Sequence, residues 1–250
     1  MLKAIRVGTA IVATIASLNT GCDSGSDTPD AKPVDPPQAS STASPVSTAS
    51  EAVKLAVIGA QDWEVVGVSV QGRPIRARSF GHGPRTVFFI GRIHGDETEG
   101  VYTTKQLPGA FEAADLGDDV TLTILEDANP DGRAASSRGN ANGVDVNRNF
   151  PASNFDTGNP EYGETPLSQP ESKTLVDVID RSRPDLVIVS HAWAGDQFIN
   201  FDGPARGLAE RFSASSGFPV QASSAFASTP GSLGPTLGVT AEYRSLLLRC

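Results

Sequence analysis

The sequence predicts an α/β domain built on a mixed, mostly parallel sheet. Three continuous apolar runs of strand length carry that prediction: 85–91 (RTVFFIG), 120–126 (VTLTILE) and 185–190 (DLVIVS). Unbroken apolar runs mark strands covered on both faces. Between the last two runs, SQPESKTLVDVIDRS repeats apolar residues at helical spacing, so buried strands alternate with a helix.

In chain order, residues 64–70 and 75–80 read as strands joined by a turn through Gly72 and Pro74. The strand at 85–91 leads into His94 and Glu97, placed on a strand-to-helix turn. The strand at 120–126 leads into Asn129 and a polar segment, 129–151. Ser168 and Glu171 stand as a capping box at the start of the helix that follows. The strand at 185–190 delivers His191, and a second helix is expected over 204–213. Ligands in open α/β sheets bind outside the carboxyl ends of strands. His94, Asn129 and His191 each follow a buried strand, so they should meet in space.

The chain of 250 residues is 38% hydrophobic and 20% charged, enough for one well-buried core. Its formal net charge of -9 argues against nucleic acid, whose binders need a basic face. No apolar run reaches the roughly 20 residues of a spanning helix. Lys3 and Arg6 precede an apolar stretch, 7–18, and LNTGC then ends at Cys22, the pattern of an export signal. Thr20, Gly21 and Cys22 resemble a bacterial lipoprotein box, with Asn19 where an aliphatic residue is usual. Residues 1–22 are thus expected to be a signal with Cys22 lipidated, giving an exported, membrane-anchored protein. Residues 23–52 are Pro, Ser, Thr and Asp with few large apolar side chains, so a disordered stalk is expected there. The folded domain is assigned to 53–250. Cys250 is the only other cysteine, and no disulfide framework is predicted.

The chain has 3 histidines. His94 and Glu97 form a His-x-x-Glu pair, and His191 ends a strand far downstream. Two imidazoles and one carboxylate are what a catalytic zinc takes, leaving a position for water. His82, between glycines in a turn, reads as an exposed bystander. The polar segment carries Arg133, Arg138 and Arg148. Guanidinium groups bind carboxylates through paired hydrogen bonds, so arginines beside a zinc suit an anionic substrate and a developing oxyanion.

HGDE, NPDG, RGNANGVDVNRNFP and the later SH resemble, in order and spacing, the zinc metallocarboxypeptidases. YGETPLSQPES (162–172) and STPGSLG (228–234) resemble the bacterial murein peptide amidases, or γ-D-glutamyl-meso-diaminopimelate peptidases. The likeness covers roughly 62–238. It implies an α/β/α sandwich holding one Zn2+ on His94, Glu97 and His191. It also implies Arg138 as the oxyanion-stabilising arginine, and Asn147 with Arg148 as the pair that holds a free substrate carboxylate. The implied substrates are peptides or murein peptides.

One element of that pattern is missing. The resemblance implies a glutamate base on the last core strand, about eighteen residues after Gly231, within hydrogen-bond reach of the zinc water. That count falls on Leu248 or Arg249, and Glu242 is the sole late carboxylate. Codons permitted for 241–249, read two nucleotides later, allow Gly-Ile-Pro-Val-Ile-Thr-Val-Glu, so a frameshifted, truncated C-terminus is one expectation. A catalytically impaired zinc-binding lipoprotein is the second. A zinc deacylase of the aspartoacylase or succinylglutamate type shares the His-x-x-Glu pair and distant histidine, and is the third.

Overall fold

The computed structural model describes residues 58–97, 99–192, 197–222, 229–239 and 244–249. The expected signal, Cys22 and the expected stalk lie outside them, as does Glu242. Strand β1 (Glu64–Val68) pairs antiparallel with β2 (Pro74–Phe80), with a bulge between Val65 and Gly67. Strands β3 (Arg85–Arg92), β4 (Val120–Asp127) and β5 (Leu186–His191) follow, and β3 pairs in parallel with both β4 and β5. Beyond β5 come β8 (Arg244–Arg249), β6 (Phe198–Asp202) and β7 (Val220–Ala222). The eight-stranded sheet has the order β1-β2-β4-β3-β5-β8-β6-β7. The predicted mixed, mostly parallel sheet is therefore what forms, with antiparallel pairs at β1-β2, β2-β4 and β6-β8.

The two-residue period of a strand explains why the apolar runs are unbroken. Val87 and Phe89 point to one face, where they pack with Leu107 and Phe111 of helix α1 (Glu99–Ala113) and Leu208 and Phe212 of α4 (Arg206–Ser216). Phe88 and Ile90 point to the other face, against Leu175, Val178 and Ile179 of α3 (Pro170–Ser182). Phe88 and Phe89 are both fully buried, each contributing about 1.5–3 kcal/mol by leaving water. Short α2 (Pro130–Ala135) follows β4, and α5 (Leu233–Val239) precedes β8.

The predicted capping box does not form. Helix α3 begins at Pro170 behind Gln169, which makes no side-chain cap bond. Ser168 Oγ instead accepts from Asn149 Nδ2 at 2.9 Å and Gln169 Nε2 at 2.9 Å, and the Glu171 carboxylate reaches Val70 N and Asn140 Nδ2. The residue before a proline is kept out of the α region, so extended Gln169 becomes the N-cap, one position after Ser168, and the Ser168 and Glu171 side chains go to tertiary bonds. The helix expected at 204–213 runs as α4, shifted toward Ser216. His82 is exposed, 3.2 Å from Asp118.

Candidate metal centre

Neighbouring parallel strands bring the two distant histidines together. His94 follows β3, His191 ends β5, and these strands are hydrogen-bonded neighbours, so both imidazoles emerge at the same sheet end. The chain turns at once after β3, with Glu97 N donating to His94 O at 3.3 Å. Gly95 is required in that turn: a Cβ there would lie 2.0 Å from the Gly132 carbonyl carbon, so only glycine lets the turn seat against α2.

His94 Nδ1 lies 2.6 Å from Glu97 Oε1, and His191 Nδ1 lies 3.1 Å from Glu97 Oε2. The two Nδ1 atoms are 3.2 Å apart, and each residue is under a tenth exposed. Zinc–nitrogen bonds of about 2.0–2.1 Å at tetrahedral angles put ligand atoms about 3.3 Å apart. The Nδ1–Nδ1 and Nδ1–Oε2 separations match that edge, and the ligand atoms of all three residues lie within 4.8 Å of one another. The donor set and its spacing fit zinc.

Asp145 completes the arrangement. Its Oδ1 accepts from His94 Nε2 at 3.1 Å and from Asn147 N at 2.9 Å, and its Oδ2 accepts from Arg138 Nε at 2.9 Å. A neutral His94 ring with its proton on Nε2, toward Asp145, would offer the Nδ1 lone pair to a metal shared with Glu97 and His191. This carboxylate–histidine pairing is how metal ligands are oriented in many sites. Electrostatics follow from the same contacts. Burial opposes a charge on His94, yet its bonds to Asp145 and Glu97 outweigh burial and raise its pKa. Burial likewise pushes Glu97 and Asp145 upward. Bonds from His191 and His94 overcome it for Glu97; His94, Arg138 and Arg148 overcome it for Asp145. Both carboxyls end far below their usual range.

The profile described as "Zinc carboxypeptidase" matches residues 61–206, more than half of the chain. The chain belongs to the zinc carboxypeptidase family. It is 32% identical over 157 residues to murein peptide amidase A of Escherichia coli (strain K12), across 56% of this chain and 61% of that protein. It is 32% identical over 151 residues to bacteriocin BCN5 of Clostridium perfringens, across 52% of this chain and 17% of that protein. The chain thus spans less than two thirds of either relative. The fold is that of murein-tripeptide amidase from Escherichia coli O157 (TM-score 0.56, 24% identity, 75% of this chain and 82% of that one). It is also that of carboxypeptidase A from Helicoverpa armigera (TM-score 0.63, 20% identity, 77% of this chain and 59% of that one). The family is a hydrolase family, and zinc is its metal.

Not every polar residue of the predicted cluster reaches the centre. Arg138 does: besides its bond to Asp145, Nη1 stands 3.7 Å from Glu97 Oε1, and about half of its side chain faces solvent. Asn147 Nδ2 is 3.5 Å from His191 Nε2, while its Oδ1 accepts from Leu233 N at 3.1 Å. Arg148 Nη1 donates to the Asn147 carbonyl at 2.8 Å. Arg133 turns away to pair with Asp127. Asn129 is structural: it caps α2 through Gly132 N and donates to the Arg138 carbonyl, holding that loop.

Asp145 is the residue that sequence reasoning missed. An aspartate ahead of a short helix reads as an N-cap, and Asp145 is one for the 3-10 turn Val146–Arg148. Nothing in its spacing reveals that the same oxygen also faces His94. At the expected place of the general base, β8 lies parallel to β5 with Leu248 in register with Ser190 and Arg249 with His191.

Proposed function

We propose that the chain is a zinc-dependent peptidase or amidase acting on bonds next to a free carboxylate, with cell-wall peptides as the substrate class. The convergence of His94, Glu97 and His191 beneath Arg138 is the observation that carries this reading. Zinc bound there would polarise a carbonyl and acidify a water. Asp145 fixes the His94 tautomer and holds Arg138 through Nε, leaving guanidinium N–H groups to meet a carbonyl oxygen as it gains charge. Arg148, with one Nη1 contact to the Asn147 carbonyl, has further donors for a substrate carboxylate. The murein peptide amidase relative supports the substrate class. In this reading Cys22 carries a lipid anchor and the stalk lets the domain reach its substrate from a membrane on the extracytoplasmic side.

A second reading, a zinc-dependent peptide binder with impaired hydrolysis, is favoured by the β8 register. Glu97 is engaged with both histidines and Asp145 with His94 and Arg138, so neither is a free base. The position in register with His191 is an arginine, which cannot accept a proton. Losing a general base costs on the order of 100- to 10,000-fold. The test is hydrolysis by the zinc-loaded chain of a γ-D-glutamyl amide tripeptide, a C-terminal peptide series and acyl-amino acids, beside Arg249→Glu. Cleavage of peptides by the wild type supports the hydrolase. Binding without turnover, with activity gained in Arg249→Glu, supports the binder. Preference for acyl-amino acids points to a deacylase and overturns both.

A further inference from the structure

The turn that delivers Asp145 is built around one buried amide. Asn140 is 4% exposed, and every hydrogen-bonding position of its side chain is used. Nδ2 donates to Glu171 Oε2 and Gln169 Oε1, each at 2.9 Å. Oδ1 accepts from Asn142 N at 3.0 Å and Val144 N at 3.1 Å. Its backbone closes the same turn: Asn140 N donates to Val144 O at 2.8 Å, and Gly143 N donates to Asn140 O at 2.9 Å. Val144 is therefore gripped through both its N–H and its C=O, and the next residue is Asp145.

The outer end of this network is equally fixed. Glu171 is fully buried in the first turn of α3, and its Oε1 accepts from Val70 N at 3.1 Å in the β1-β2 turn. Gln169 Oε1 also accepts from Asn142 Nδ2 at 2.9 Å. A path of hydrogen bonds thus runs from the hairpin and α3, through Asn140, to the turn ahead of Asp145, and from Asp145 to His94 Nε2 and Arg138 Nε.

We infer that Asn140 is a positioning residue for the metal centre, acting through Asp145. This rests on the zinc reading above for its functional consequence, and on the network alone for its structural one. Only an amide supplies two donors and two acceptors here. A carboxylate would lose both donors and face Glu171. Alanine would leave Glu171 Oε2 and the Asn142 and Val144 N–H groups without this partner. A displacement of Asp145 releases His94 Nε2 and misaims Nδ1. Outer-shell partners of ligating histidines alter metal affinity by roughly 10- to 100-fold, and Asn140 stands one step further out.

The test is a double-mutant cycle on the full chain: wild type, Asn140→Ala, Asp145→Asn and the pair, with zinc affinity measured by chelator competition. Asn140→Ala should weaken zinc roughly tenfold in the wild-type background and change it less than about twofold once Asp145 is already Asn. Equal losses in both backgrounds, or a lowered melting temperature with unchanged affinity, overturn the inference. If Asn140→Ala does not fold, Glu171→Gln perturbs the same path while keeping the amide. The metal-free protein separates this from failure of the zinc reading. The His94 Nε2–H resonance, held by Asp145 in the wild type, should vanish into exchange in Asn140→Ala. A wild type that binds no zinc sinks the zinc reading, and the resonance still decides the role of Asn140: its persistence in Asn140→Ala overturns the inference.

Discussion

Replacing Asp145 by Asn tests whether the centre is organised as its geometry indicates. The carboxylate contacts His94 Nε2 at 3.1 Å and Arg138 Nε at 2.9 Å; asparagine keeps the shape but loses the charge and one acceptor oxygen. Loss of such an outer-shell partner weakens metal by roughly 10- to 100-fold. Zinc held at 100 times the wild-type Kd stabilises the fold by about 2.7 kcal/mol. A thirtyfold weaker site under the same zinc gives about 0.9 kcal/mol, a difference of about 1.9 kcal/mol. For a folded region of this size, about 2–4 °C per kcal/mol makes the zinc-induced rise in Tm smaller by about 4–8 °C. The assay is thermal unfolding of wild type and Asp145→Asn, each with and without zinc. Taking the rise rather than the absolute Tm removes any loss that Arg138 or Asn147 contacts cause in the metal-free protein. An equal rise in both proteins would refute the reasoning that Asp145 orients His94.

Two further outcomes follow from positions away from the ligands. Gly231 has φ +63°, and a Cβ there would sit 2.1 Å from the Arg148 carbonyl oxygen, so Gly231→Ala should cost about 2 kcal/mol or more and lower Tm by several degrees; a change below about 1 °C in thermal unfolding would count against that packing. Burial raises the pKa of Glu171, with Asn140 and Val70 only partly offsetting it. The folded state therefore holds this proton more tightly than the unfolded chain, whose glutamates titrate near about 4.3. The stabilisation is complete below that value and is lost as pH rises through the raised folded pKa. Denaturant midpoints of metal-free protein should show the deficit of Glu171→Gln shrinking as pH rises from 4 to 7, and parallel curves would sink the idea.

How much of this was legible in the sequence depended on how many faces of each element are covered. Strands β3, β4 and β5 are buried on both sides, and their apolar runs announce themselves. Helix α1 does not, because EGVYTTKQLPGAFEA holds Pro108 and two glycines and buries few large apolar side chains, among them Leu107 and Phe111. The ligands were legible because His-x-x-Glu is local and His191 ends a readable strand. The network behind them was not. Asn140, Asp145 and Glu171 are residue types that also cap helices and turn loops, and their real partners lie far away in sequence. Glu171 shows the ambiguity: it stands three residues after Ser168, where a capping box would put it, yet Pro170 denies the box and its carboxylate goes to Asn140.

The placement of these groups separates metal binding from catalysis. His94 and Glu97 come from the end of β3, His191 from β5, and Asp145 and Arg138 from the loop held by Asn129 and Asn140. Each of these comes from an element other than β8. The residue in register with His191 does belong to β8, and there it is Arg249. A change confined to that strand can therefore remove a proton acceptor while leaving the ligand set and its outer carboxylate intact. The reverse also holds: a change at Asn140 or Asp145 reaches the metal without touching β8. Zinc affinity and turnover should accordingly respond to different sets of substitutions, with Asp145→Asn moving affinity and Arg249→Glu moving turnover at nearly constant affinity. Parallel movement of both quantities in both variants would show that β8 and the loop form one coupled unit.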